Sequence, residues 1–327
     1  MAKPFKIFVP ELFPPASNQR EMLEEIAEVK VGHGRVYSEE ELIGEIKDID
    51  GILMTSKVRM TPKVIDAAKR LKVISKYGVG VDTIDVAYAT QKRILVCYTP
   101  GVNSDAVAEH ALGLMLATLR KIPQSMISLK AGGWREERYL GGELSGATIG
   151  IIGFGNIGFL LAKKLSGFNI KLLAYDPYIS KEKIESAGGE KADLSNLLRK
   201  SDIVSLNLAF TPETFHLIGE NELRQMKSTS YVINTARGPL IDEKALYRAL
   251  KEGWIAGAGL DVFEEEPAKM DNPLFSLDNV VVTPHLGGST HRARQRLVMM
   301  AVENLLRALK GDLPERENMI NPEALHI

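Results

Sequence analysis

The sequence predicts an α/β protein made of two doubly wound, parallel-sheet lobes. Three observations carry that expectation. Short apolar runs alternate with helical patterns in two separate blocks, a glycine-rich turn joins a strand to a helix at 152–158, and 327 residues leave room for two domains of ordinary size. The runs are apolar throughout rather than at every second residue, as strands are when helices cover both faces of their sheet.

In the first block, strands are expected at 6–9, 29–31, 51–54, 73–75 and 94–98, with helices near 18–28, 38–47, 62–70 and 82–90. Ser38 followed by Glu41 has the spacing of a capping box, and Thr61-Pro62 puts an N-cap before a first-turn proline. Ligands of such sheets gather at the carboxyl ends of the strands, which singles out the loops 55–59 and 77–81. A long helix follows at 103–119, opened by Asn103, Ser104 and Asp105. Its half at 111–119 is apolar almost all round, so it must lie between layers or against a second subunit. The passage 123–143 reads as irregular, with Gly132, Gly133, Gly141, Gly142 and an isolated Trp134, and is expected to be a functional or subunit-contact segment.

The second block begins with an apolar strand at 148–152 and the turn Gly153-Phe154-Gly155-Asn156-Ile157-Gly158. Ile157, Leu161 and Leu165 then recur at helical spacing, a strand follows at 171–175, and Asp176 stands at its end. This order fits a dinucleotide site. Gly153 permits the tight turn, Gly155 lets the backbone approach a pyrophosphate, and Gly158 lets helix and strand pack closely. The helix N-terminus offers free N–H groups to the phosphates, and Asp176 is placed to accept hydrogen bonds from a ribose. A glycine turn alone can be purely structural; strand, helix, second strand and acid in sequence favour the dinucleotide. An acid here repels a 2′-phosphate, and Pro177 and Tyr178 supply no cation, so NAD is expected rather than NADP.

Further strands are expected at 202–206, 231–234, 257–261 and 280–283, and helices at 194–200, 221–226 and 242–252. The last helix, 292–310, carries Val298, Val302, Leu305 and Leu309 on one stripe and ends at Gly311, with Pro314 beyond. A chain that leaves the first lobe near residue 100 and returns near 290 gives a discontinuous domain, 1–102 plus 291–327, around a second at 103–290. A net charge of −1 points to neither nucleic acid nor an anionic membrane surface as partner. The single Cys97 excludes an intramolecular disulfide and, in an apolar run, reads as a buried thiol. The N-terminal apolar run is too short for a signal peptide and no stretch approaches membrane-spanning length, so a cytoplasmic protein is expected.

Three strings in the last third carry chemistry: Asn234-Thr235-Ala236-Arg237-Gly238, Gly259 to Pro267 with Asp261 and the acids Glu264, Glu265 and Glu266, and Thr283-Pro284-His285-Leu286-Gly287-Gly288. Each follows a strand pattern, so all three should open on one sheet edge. Hydride exchange with a 2-oxo or 2-hydroxy acid needs a cation for the carboxylate, an acid/base for the carbonyl oxygen and a carboxylate to orient an imidazole. Arg237, His285 and Glu266 fit those needs. Each also has an ordinary reading, as a surface ion-pair partner, a structural histidine and a solvated acidic turn, and the residues alone leave that choice open.

Together these strings and the glycine turn resemble the D-isomer-specific 2-hydroxyacid dehydrogenases, over nearly all of the chain. The resemblance implies a Rossmann NAD-binding domain and a flavodoxin-like substrate domain. It implies that Arg237, Glu266 (the acid directly before the proline) and His285 are catalytic. Cofactor contacts are implied at Gly153, Gly155, Asn156, Ile157, Gly158, Asp176, Thr235, Ala236, Asp261, His285 and Gly287, with Asp261 on the nicotinamide carboxamide. Backbone N–H groups at Val79 and Gly80 would bind the substrate carboxylate, beside Arg237 and His285. A homodimer built around the 103–119 helix and the 123–143 arm is also implied.

Within the family, the stretches 76–85, 99–109 and 260–267 are most similar to D-3-phosphoglycerate dehydrogenases, which implies oxidation of D-3-phosphoglycerate to 3-phosphohydroxypyruvate, the first step of serine biosynthesis. Lys57 and Arg59, with Arg135 or Arg138, are the cations available for a phosphate, although some relatives have an arginine where Thr55 stands. Glyoxylate or hydroxypyruvate reduction is the alternative, and an NAD-sensing corepressor-like binding protein a remote one. His33, His110, His216, His291 and His326 have no metal-ligand spacing and read as structural or solvated, so no metal is expected.

Overall fold

Parallel strands dominate the structure, a computed structural model that describes residues 3–11 and 18–325. They fall into two compact units, Met1–Asn103 with Thr290–Ile327, and Ser104–Ser289.

The first unit opens with β1 (Phe5–Val9), α1 (Gln19–Glu24), β2 (Ala27–Val31), α2 (Glu39–Ile46), β3 (Gly51–Met54), α3 (Pro62–Ala67), β4 (Val73–Lys76), α4 (Val86–Gln91) and β5 (Leu95–Cys97). Its sheet runs β2-β1-β3-β4-β5, every described pair parallel. This is the flavodoxin-like order, which reverses between β1 and β3. The capping box forms at α2: Ser38 Oγ accepts from Glu41 N at 3.2 Å, and Glu41 Oε2 accepts from Ser38 N at 2.9 Å. Thr61 Oγ1 caps α3 by accepting from Val64 N at 3.3 Å. The helix expected at 82–90 begins later, at Val86, because Asp85 is its N-cap and takes Tyr88 N at 2.9 Å. Cys97 is fully buried, and burial pushes its thiol up to about 12, so it is inert.

The second unit comprises α5 (Ser104–Leu119), α6 (Ile122–Lys130), β6 (Thr148–Ile152), α7 (Asn156–Leu165), β7 (Lys171–Tyr175), α8 (Lys181–Glu185), β8 (Gly189–Lys191), α9 (Leu194–Lys200), β9 (Ile203–Leu206), α10 (Glu220–Gln225), β10 (Tyr231–Asn234), α11 (Glu243–Lys251), β11 (Gly257–Leu260) and β12 (Val280–Val282). Its parallel sheet runs β12-β11-β10-β9-β6-β7-β8 and reverses between β6 and β9. The sequence predicts neither α6, which lies largely in the passage expected to be irregular, nor α8 and β8. None of the α6 side chains is fully buried, so it has no core-facing stripe to betray it. Strand β8 is a polar three-residue edge strand beside β7 alone.

Helix α5 packs on α7 and beneath β10 and β11. Ala108, Ala111, Leu114, Met115 and Leu119 are buried there, whereas Leu112 and Leu116 are half-buried and Gly113 is exposed. Burial on every side, expected from an apolar circumference, therefore holds within this chain for one face only.

Helix α12 (His291–Lys310) returns the chain to the first unit and lies on β3, β4 and β5. Its buried stripe is wider than the four predicted positions, adding Leu297, Ala301 and Leu306 to Val298, Val302, Leu305 and Leu309. Gly311, with φ +88°, ends it in the left-handed region.

Leu305 is fully buried, with its Cδ1 where a side chain on Gly51 would begin. Leu305→Ala is expected to lower stability by about 2–5 kcal/mol in denaturant unfolding. Gly44, inside α2 with open space around it, predicts the reverse: Gly44→Ala should stabilise by about 0.5–1 kcal/mol.

Candidate active site

The glycine turn sits where β6 ends and α7 begins. Gly153 has φ +86°, a conformation open to glycine at little cost. A Cβ on Gly158 would lie 2.2 Å from the Gly153 carbonyl oxygen, so this glycine serves helix–strand packing. Gly155 differs from both: its φ is −71°, and a Cβ there would meet nothing within 4 Å. Among the described residues, nothing in the packing requires that glycine. It leaves a cradle open at the start of α7, whose N-cap carries no capping side chain, so the first-turn N–H groups of Asn156, Ile157 and Gly158 remain available to an anion.

Asp176 lies at the same turn. Its Oδ2 accepts from Phe154 N at 2.8 Å, and its Oδ1 from Tyr178 N at 2.9 Å and Ile179 N at 3.2 Å. A carboxylate offers about four acceptor directions, so about one remains for a ribose hydroxyl. Thr235, just after β10, is 7% exposed, and its Oγ1 is buried with no partner among the described residues. Asn234 holds that turn, taking Ala236 N on Oδ1 at 3.0 Å and donating Nδ2 to the Arg237 carbonyl at 2.8 Å. The open cradle, the uncapped helix start and the orphaned hydroxyl fit a dinucleotide.

Arg237, Glu266 and His285 come together. His285 Nδ1 and Glu266 Oε2 are 2.7 Å apart, and Glu266 Oε1 accepts from Phe263 N at 3.1 Å. The acidic loop comes close to the arginine turn because residue 238 is glycine: a Cβ there would stand 1.9 Å from the Phe263 carbonyl carbon. The hydrogen bond to Glu266 raises the His285 pKa above the ordinary imidazole value, against partial desolvation and the nearby Arg237 charge. Burial works against the ionised Glu266, but its bonds to His285 and Phe263 N, with the charges of His285 and Arg237, hold it below the usual carboxylate range. With Nδ1 committed to Glu266, Nε2 is the edge of the half-exposed ring left for proton exchange.

His285 has φ +53°, a left-handed conformation costly for a residue with a side chain. Asp261 holds it there. The Asp261 carbonyl accepts from His285 N at 2.7 Å, Oδ1 from Leu286 N at 2.8 Å and Oδ2 from Gly287 N at 2.7 Å. Asp261 is 1% exposed. Desolvation opposes its ionisation, yet bonds from His110, Thr283, Leu286 and Gly287 keep its carboxyl below the usual range. His110, read from the sequence as structural or solvated, therefore belongs to this network, with Nε2 2.9 Å from Thr283 Oγ1 and 3.3 Å from Asp261 Oδ1. No local sequence signal exposes a pairing across 173 residues.

Of the remaining expected residues, Lys57, Arg59, Val79 and Gly80 lie in loops of the first unit. Lys57, after β3, donates Nζ to the Gly34 carbonyl at 2.7 Å, and Arg59 is exposed. The turn after β4 is held at Gly78, whose N donates to Thr99 Oγ1 at 3.1 Å. Val79 and Gly80 follow it, half-buried or exposed. Arg138, in the second unit, pairs with Glu136 at 2.8 Å. His33 stacks on Tyr37 and His291 is exposed, while His326 lies outside the described residues. His216, Asp242 and Glu264 each offer a metal-capable atom within 4.8 Å of the others. The two ring nitrogens of His216 face different carboxylates, Glu264 at 2.9 Å and Asp242 at 3.9 Å.

Residues 112–287 match the model of the D-isomer specific 2-hydroxyacid dehydrogenase, NAD binding domain. The chain is 47% identical over 301 residues to a D-3-phosphoglycerate dehydrogenase of Methanocaldococcus jannaschii, covering 92% of this chain but only 56% of that protein. It is 45% identical over 335 residues to a glyoxylate reductase of Thermofilum pendens, covering 100% of this chain and 97% of the other. Its fold is similar to that of a D-lactate dehydrogenase from Aquifex aeolicus complexed with NAD and lactic acid, with a TM-score of 0.85 at 30% identity, over 96% of this chain and 98% of that one.

The glycines separate binding from folding. Gly155→Val is expected to abolish NADH binding, followed by nucleotide fluorescence, with the melting temperature unchanged. Gly158→Ala should lower the melting temperature, because its methyl group meets the Gly153 carbonyl.

Proposed function

The chain belongs to the D-isomer specific 2-hydroxyacid dehydrogenases, NAD-dependent oxidoreductases, and from that premise we propose that it oxidises D-3-phosphoglycerate to 3-phosphohydroxypyruvate, feeding serine biosynthesis. The observation that carries the chemistry is the 2.7 Å contact between His285 and Glu266, with the Arg237 charge beside it. NAD, when bound, supplies the hydride acceptor; Gly153, Gly155, Asn156, Ile157, Gly158, Asp176, Thr235, Ala236, Asp261, His285 and Gly287 are the residues proposed to hold it.

In the oxidising direction, His285 Nε2 takes the proton of the 2-hydroxyl as the C2 hydride leaves. In the reverse direction the same atom delivers the proton to the carbonyl oxygen. Glu266 keeps the ring oriented and favours its protonated form. Arg237 binds the substrate carboxylate through its planar fork; within the first unit, the Val79 and Gly80 N–H groups are the donors proposed for substrate. Lys57 and Arg59 are assigned to the phosphate. The identity with the Methanocaldococcus jannaschii protein supports this substrate.

A second reading, reduction of glyoxylate or hydroxypyruvate, has its own support. Thr55 donates its hydroxyl and its N–H to Glu11, a carboxylate only 8% exposed, so an acid rather than a cation stands behind that loop. Relatives matched along 97–98% of their own length are named glyoxylate reductase. We also propose a cytoplasmic homodimer. The exposed apolar side chains Ile122, Met126, Ile127, Leu129, Trp134 and Leu140, around α6, support a subunit contact.

Steady-state assays with NADH should give a higher kcat/KM for phosphohydroxypyruvate than for glyoxylate or hydroxypyruvate; the opposite ranking assigns the second reading. Reduction requires protonated His285, so its rate should fall as pH rises through the raised pKa. Glu266→Gln removes the charge that raises this pKa, and the falling limb should move to lower pH; an unmoved limb refutes the pairing. Arg237→Ala should lower kcat/KM by about two orders of magnitude, and Arg237→Lys should recover only part of it.

A further inference from the structure

Asp261 takes the N–H groups of three consecutive residues, His285, Leu286 and Gly287, within 2.7–2.8 Å. Two of these bonds end on its carboxylate, so the plane of that carboxylate sets where the strand-end segment runs. The carboxylate is itself oriented from the other side. Thr283 Oγ1 donates to Asp261 Oδ1 at 2.6 Å, and His110 Nε2 lies 2.9 Å from the same hydroxyl.

The direction of this chain follows from proton count. An ionised carboxylate only accepts, and a threonine hydroxyl has one proton, which is spent on Asp261. Thr283 Oγ1 must then accept from His110, so Nε2 carries a hydrogen. We propose that His110 is a positioning residue for the reaction: it donates Nε2–H to Thr283, Thr283 donates to Asp261, and the locked carboxylate holds His285 in its left-handed backbone against Glu266. This rests on His285 being the acid/base. His110 sits at the middle of α5, which packs on β11 and β12, so a long helix is the support from which the catalytic ring is aimed.

Gln places an amide nitrogen near the position of Nε2, whereas Phe fills the space without a donor. His110→Phe and Thr283→Val are expected to lower kcat about tenfold, while His110→Gln and Thr283→Ser stay within about twofold of the parent. Nitrogen NMR of histidine-labelled protein should find His110 with Nε2 protonated at neutral pH, a readout that needs no variant to fold. The proposal is overturned if Nε2 is unprotonated, if His110→Phe turns over normally, or if His110→Gln is as impaired as His110→Phe. His285→Asn is the control for the premise: retained turnover in that variant refutes His285 as acid/base, independently of how the His110 and Thr283 variants behave.

Discussion

Parallelism of the seven-stranded sheet is the constraint on which the rest depends. When every strand runs the same way, every strand-to-helix turn opens on one edge, and residues far apart in sequence arrive there without any further instruction. The turn after β6, the arginine after β10, the aspartate after β11 and the histidine after β12 are such a set. The sheet fixes the edge; local contacts then set each side chain. Gly238 lets two of those turns touch, Asn234 rigidifies one of them, and Asp261 ties the ends of β11 and β12 together.

The electrostatics follow the same division. Glu266 and His285 each shift in the direction that favours the charged pair, although partial burial opposes both. Arg237 works in opposite senses on the two: it favours the ionised acid and disfavours the protonated ring. The imidazolium is therefore supported by its acidic neighbour while held back by the guanidinium, an arrangement that keeps its proton transferable.

How much was legible in the sequence depended on how local each signal was. The glycine turn, the Ser38 capping box and the boundaries of β7 and α9 were readable because steric and hydrogen-bonding rules act within a few residues. Helix α6 was not, since its side chains face no core and leave no apolar period. The Arg237, Glu266 and His285 constellation was legible only in outline: strand patterns brought it to one edge, but the 2.7 Å contact is tertiary. The partners of His110 were not legible for the same reason, because they meet only once α5 lies across β11 and β12.

The left-handed backbone at His285 has a consequence for how this position can vary. Few residues with a side chain tolerate that conformation, and asparagine is among the best of them. Most replacements therefore relax the main chain as well as remove the ring, and confound loss of chemistry with loss of shape. Asparagine spares the backbone and, unlike aspartate, adds no charge beside Glu266, which makes it the natural choice for a dead-end form in which both ligands are trapped together for crystallography.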